Sequence, residues 1–198
     1  HRDALAQAQA ACRTRGYFSL FHETPDRHPG GADAQAAALA AFRAQLGRPF
    51  ELDQPGTRGR LAGETSPYTG EPLAIDYPLA DPDALFAVAQ DAMRDWAQAS
   101  PEARIGVCME IVDRLYAQVF VAQHAVMHTA GQSALMSYAG SGTNALDRGV
   151  EALCYAHAAM NDVPREATWE RRFGSATLTL RKRWRLVPRG VAVCFACA

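Results

Sequence analysis

The sequence predicts an α/β chain, mostly helical, that closes on strands. Three patterns carry this reading. Apolar residues recur at steps of three and four from Ile105 to Val126, as on one face of a helix. Residues 177–186 then alternate with period two, which is strand behaviour. Val191-Ala192-Val193-Cys194-Phe195-Ala196 is a short unbroken apolar run, as expected of a strand buried on both faces of a parallel sheet.

Composition agrees with a folded chain. With 48% hydrophobic and 21% charged residues, 198 residues can bury an ordinary core, which excludes a disordered tail. A net charge of -1 argues against an overall polyanion-binding role. No apolar run is long enough for a membrane-spanning helix, and His1-Arg2-Asp3 opens an alanine-rich helix, not a secretory signal. The five cysteines, Cys12, Cys108, Cys154, Cys194 and Cys197, are scattered and odd in number. Reduced thiols and a cytoplasmic location are expected.

In chain order, residues 1–15 read as a helix, stopped by Gly16 and the aromatic run Tyr17-Phe18-Ser19-Leu20-Phe21. A loop with Pro25, Pro29, Gly30 and Gly31 leads to a second helix over 32–46, rich in alanine, with Gly47 just beyond its end. Residues 48–78 shift to proline, glycine and threonine, and the stretch from Glu64 to Leu73 reads as a turn between two short strands. Asp81-Pro82 starts a third helix, expected to run to Gln98 and to bury Leu85, Val88, Ala89, Ala92 and Trp96. Ser100-Pro101-Glu102 starts a fourth. One continuous helix is expected from there to Gly131, with Ile105, Cys108, Val112, Leu115, Val119, Ala122 and Val126 on its buried face. A fifth helix spans 144–160, ahead of Pro164. The basic strand, a turn at Pro188-Arg189-Gly190 and the apolar strand complete the chain. A buried parallel strand needs neighbours, so the sequence reads as interrupted at Ala198.

Four stretches could carry chemistry, and each has a plainer reading. His124 and His128 share a helix face at metal-ligand spacing, but residue 125 is Ala and no third ligand is recognisable, so no metal is expected. Cys194-x-x-Cys197 could be a redox pair, yet it ends a strand with no helix after it; Cys108 and Cys154 read as core. Gly140-Ser141-Gly142-Thr143-Asn144-Ala145 has dinucleotide-loop spacing but follows a helix, so a loop into the next helix is expected. Finally, Arg171, Arg172, Arg181, Lys182, Arg183, Arg185 and Arg189 face Glu170 alone over residues 169–189, a local charge of +6. With Trp169, Phe173 and Trp184 interleaved, this could bind nucleic acid; it could equally be a protruding strand that pairs with a second subunit.

The order of elements and several signatures resemble aldehyde dehydrogenases. Trp96 followed by Ser100-Pro101-Glu102-Ala103-Arg104 is similar to the family's tryptophan, short spacer and arginine at a long helix start. Thr129-Ala130-Gly131-Gln132-Ser133 resembles its Glu-Thr-Gly-Lys turn, with Thr129 and Gln132 in place of the acid and the lysine. Val187-Pro188-Arg189-Gly190-Val191 resembles the family's lead-in to the first strand of its cofactor domain. Gln54-Pro55-Gly56-Thr57, Ser66-Pro67-Tyr68, His124 to Thr129 and Asp147-Arg148-Gly149 look closest to the PaaN branch of phenylacetate degradation.

The resemblance implies the mostly helical N-terminal part of the aldehyde dehydrogenase fold. Residues 1–78 would be helices and a loop with short strands, 79–168 the helical part of the cofactor domain, 169–188 an oligomerisation hairpin and 189–198 the start of the nucleotide-binding sheet. It implies an NAD- or NADP-dependent oxidoreductase, oxidising a CoA-linked semialdehyde from aromatic degradation. Self-association would use residues 178–186, from Leu178 to Leu186, with no nucleic acid and no membrane as partner. The alternative is a helical module using the basic aromatic hairpin to bind protein or nucleic acid. The family's nucleophilic cysteine and general-base glutamate have no counterpart here, so no catalytic residue is assigned and the chain alone is expected to be inactive and to bind no cofactor. Only the backbone of Ala196, Cys197 and Ala198 would approach the cofactor, at the place where the family carries an apolar-Pro-Trp-Asn stretch.

Overall fold

A computed structural model describes residues 1–194. Six helices, a π-helical stretch and two antiparallel hairpins follow one another along the chain. The helices are α1 (Arg2–Thr14), α2 (Gly31–Gln45), α3 (Pro82–Gln98), α4 (Pro101–Ala117), α5 (Val119–Ala130) and α6 (Ala145–Asn161). The strands are β1 (Thr57–Ala62) with β2 (Asp76–Ala80), and β3 (Glu166–Phe173) with β4 (Ala176–Arg183).

Local chemistry sets several boundaries as the sequence predicts. Asp81 caps α3 by accepting from Asp83 N at 3.0 Å, and Ser100 caps α4 by accepting from Ala103 N at 3.1 Å. Gly131 ends α5 at φ 72, a conformation that costs glycine little. The turn from Glu64 to Leu73 does join β1 to β2, with a bridge between Thr65 and Pro72.

Two small cores hold the helices together. Ala8, Ile105, Met109, Val112, Val150 and Cys154 pack α1, α4 and α6 around Phe21. Ala38, Val119, Phe120 and Tyr138 join α2, α5 and the π-helical stretch. Full burial of a side chain such as Met109, 1% exposed, contributes about 1.5–3 kcal/mol.

This division corrects the expectation of one long helix from 101 to 131. The helix breaks at Gln118 (φ -103, ψ 8), so that α4 packs on α6 while α5 packs on α2. The buried face is the expected one at Ile105, Val112 and Val119 but differs at other positions. Ile105, Met109 and Val112 point inward, whereas Leu115 is 53% exposed and Ala122 lies at the surface. The helix carries two apolar stripes, and α6 covers the one through Met109; Val107, Ile111 and Leu115 form the other.

Three further expectations change. None of the α3 residues is buried: Leu85, Val88 and Trp96 are 37%, 52% and 40% exposed, because no described element covers that face. The segment from Gly140 to Ala145 is not a loop: Gly140 to Asn144 close a π-helical stretch, Met136–Asn144, and Ala145 begins α6. Val191 to Cys194 are irregular, not a strand; strand geometry is held by ladder hydrogen bonds, and no described strand lies alongside.

Candidate functional site

Three regions stand out. The first is an open apolar cavity of about 720 Å³ between α3, the start of α4 and the chain that leads out of β4. Met93 and Trp96 of α3, Val107 of α4, and Pro188 and Val191 line it. Its walls are the two apolar faces left uncovered by the described residues. They offer apolar contact and little polar chemistry, so the cavity suits a packed protein layer better than a polar ligand. The residues assigned to the cofactor edge, Ala196, Cys197 and Ala198, lie outside the described residues, as does Phe195 of the predicted apolar strand.

The second region is the basic hairpin. Gly174 (φ 57) makes its turn, and β3 pairs with β4 in the register Trp169–Leu180, Arg171–Leu178 and Phe173–Ala176. Residues directly opposite one another share a face. Trp169, Arg171, Phe173, Leu178, Leu180 and Lys182 therefore lie on one side, and Thr168, Glu170, Arg172, Thr179, Arg181 and Arg183 on the other. The polar side is tied by Arg183–Glu166 (3.3 Å) and Thr179–Glu170 (3.4 Å). On the apolar side Arg171 stacks over Phe173 at 4.5 Å and Lys182 over Trp169 at 5.5 Å. Phe173, Leu178 and Leu180 remain roughly half exposed, at 51%, 45% and 44%.

The third region holds buried polar groups on the helices. His128 and His124 lie against Phe42 of α2, at 5.1 and 5.9 Å between ring centres. His128 Nδ1 is 2.7 Å from Ser66 Oγ, which also accepts from Tyr68 N and Thr69 N. His128 thus fastens the β1–β2 turn to α5, while His124 packs on α2. Burial, then the charges of His128 and Arg43, holds the His124 imidazole below its ordinary range. Among the described residues no group of three or more His, Cys, Asp or Glu is placed to hold a metal.

Gly140 and Gly142 do not form a phosphate cradle. A Cβ on either would meet Met136 Sδ or Val119 Cγ2 at 2.8 Å, so both glycines serve close packing inside the π-helical stretch. A pyrophosphate loop needs free N–H groups after a strand, and this segment has neither.

Sequence reading named Asp147 only within the Asp147-Arg148-Gly149 resemblance and missed its anchoring role. It is 2% exposed and accepts hydrogen bonds from Ser19 Oγ (2.7 Å) and Leu20 N (2.8 Å), which pins the aromatic run 17–21 to α6. A signal existed: Asp147 falls on the same helical stripe as Val150 and Cys154, where an acid must be paired. Tyr138, fully buried, likewise donates to His22 O at 2.9 Å, and burial raises its phenol above the ordinary range.

The chain is similar to a solved NAD-dependent aldehyde dehydrogenase from Burkholderia multivorans, with 43% sequence identity and a TM-score of 0.89. The fold is a partial aldehyde dehydrogenase fold. The likeness extends over 96% of this chain but only 34% of the Burkholderia protein, so the chain spans about a third of that length. At this identity the likeness supports the aldehyde dehydrogenase superfamily at the level of sequence as well as fold. No protein-family model and no curated protein matches the chain. No described helix is long and apolar enough to cross a membrane.

Proposed function

We propose that this chain is part of an NAD-dependent aldehyde dehydrogenase in which it supports the cofactor domain and contributes a contact between subunits. The 43% identity over nearly the whole chain carries this reading. The open cavity beside Trp96 and Val107 agrees with it, since a cofactor-domain sheet continuing beyond Val191 would cover both bare faces. NAD would supply hydride acceptance. This chain's own residues would support and orient the layer that binds it, with Ala196 to Ala198 at its edge.

The finer reading is that the aldehyde is a CoA-linked semialdehyde from phenylacetate or related aromatic breakdown. It rests on the resemblance of Ser66-Pro67-Tyr68, His124 to Thr129 and Asp147-Arg148-Gly149 to the PaaN branch. The hairpin would join subunits through its apolar side. Its aromatic faces at Trp169 and Phe173 are covered by the chain's own Lys182 and Arg171, which disfavours stacking on nucleobases.

Steady-state assays test the proposal. The intact polypeptide should reduce NAD with CoA-linked semialdehydes faster than with short free aldehydes, while residues 1–198 alone should give no turnover. An intact polypeptide that turns over no aldehyde with NAD would overturn the enzyme assignment. Equal rates on both aldehyde classes would overturn only the substrate class.

A further inference from the structure

Nothing in aldehyde oxidation uses the contact between α1 and α6, yet that contact brings two thiols together. The helices run antiparallel. Gln9 Nε2 and His157 Nδ1 meet at 2.7 Å, and further along Ser19 and Leu20 reach Asp147. Moving three residues forward on α1 and three back on α6 from the Gln9–His157 contact places Cys12 opposite Cys154. Both cysteines belong to the same apolar cluster and line the same cavity as Gln9 and His157.

The small side chains of Ala4, Ala8 and Ala11 allow close approach at this interface. Packed helices lie about 8–10 Å apart, with Cα atoms on cylinders of about 2.3 Å radius. Facing Cα atoms then fall about 3.5–5.5 Å apart, overlapping the roughly 4.4–6.8 Å that a disulfide spans.

We propose that Cys12 and Cys154 form a modification site, at which a hydroperoxide oxidises Cys12 and the pair closes to a disulfide that fastens α1 to α6. The two thiols have different surroundings, which sets the order of events. Cys12 is half-buried and opens onto a solvent-facing cavity of about 340 Å³, through which a peroxide can reach its sulfur. Cys154 is 2% exposed, and burial pushes its thiol up to about 12, so it stays protonated and inert toward peroxide.

In the first step the Cys12 sulfur attacks the peroxide oxygen and becomes a sulfenic acid, and an alcohol or water leaves carrying the thiol proton. The Cys154 sulfur then displaces the hydroxyl, which takes the Cys154 proton and departs as water. The two thiols together lose two electrons and two protons, and the hydroperoxide is reduced by the same two electrons.

Treatment of the intact protein with hydrogen peroxide, alkylation of remaining thiols and peptide mass mapping without reductant test this. The expected product is a Cys12–Cys154 linked peptide, two hydrogens lighter than its halves, formed before Cys108 or Cys194 reacts. A dithiol reductant should abolish it. In Cys154→Ala, Cys12 should stop at a sulfenic acid that a 1,3-dione traps. Sulfinic acid at Cys12 of the wild-type protein without any linked peptide would overturn the proposal, as would oxidation of Cys108 or Cys194 while both members of the pair remain alkylatable. The wild-type map decides the matter even where the variant fails to fold.

Discussion

Ser19 donates its hydroxyl to the buried carboxylate of Asp147 at 2.7 Å, across 128 residues of sequence. The neighbouring Leu20 N–H donates to the other carboxylate oxygen at 2.8 Å. Hydrogen bonds to a charged group contribute about 1.5–3 kcal/mol each, and a buried donor left without a partner costs about 1–3 kcal/mol more. Asp147→Ala should therefore lower the unfolding free energy by about 3 kcal/mol in urea titration, with Asp147→Asn costing roughly half as much. An unchanged urea midpoint in the alanine variant would show that the aromatic run is held by packing alone.

Stability should also fall on mild acidification. Burial beside Phe42, with His128 and Arg43 nearby, keeps the His124 imidazole below its ordinary 6.5, and burial does the same for His28 beside Tyr116 and Phe120. The unfolded chain then binds protons that the folded chain resists. Stability present above 6.5 is lost as pH falls from there through the folded values. Urea midpoints measured between about pH 7.5 and about pH 5 should drop, and the drop should be smaller in His124→Gln. A slope identical in that variant and the wild type would remove His124 as a source.

Packing at the π-helical stretch gives a third expectation. A Cβ at residue 142 would lie 2.8 Å from Val119 Cγ2 and 3.4 Å from Ser137 O. Gly142→Ala gains helix propensity of about 1 kcal/mol but overpacks the smaller core, which costs about 1–3 kcal/mol. A net loss in thermal midpoint is expected, partly recovered when Val119→Ala is added. A gain in the single variant would mean that α5 can move aside.

The hairpin supplies the fourth. Leu178 and Leu180 are exposed and make no part of either helical core. Leu178→Glu with Leu180→Glu should leave the thermal midpoint of a single subunit almost unchanged while light scattering reports a smaller assembly. An unaltered mass would place the subunit contact elsewhere.

Features governed by neighbouring residues were legible in the sequence. Asp81 and Ser100 mark helix starts, Gly131 marks an end, and the alternation through Leu178 and Leu180 marks a strand. The break at Gln118 was not legible, because no proline or glycine stands there; it arises because Met109 and Phe120 belong to different cores. Periodicity likewise could not rank the stripe through Leu115 below the stripe through Met109, since only the position of α6 decides between them. The candidate site divides in the same way. His124 and His128 were read as structural from their spacing alone, and their neighbours Ser66 and Phe42 could not be foreseen because they are distant in sequence. Ala196, Cys197 and Ala198 lie outside the described residues.

The long reach from Ser19 to Asp147 also has a consequence in time. During synthesis the ribosome adds about 5–20 residues per second, so α1 and its aromatic tail emerge roughly 6–26 s before the carboxylate that anchors them. For that interval Ala8, Phe18 and Phe21 face water on a nascent chain. Helix α1 thus settles only after α6 has emerged, and a chaperone able to shelter a short amphipathic helix would act on it in that interval.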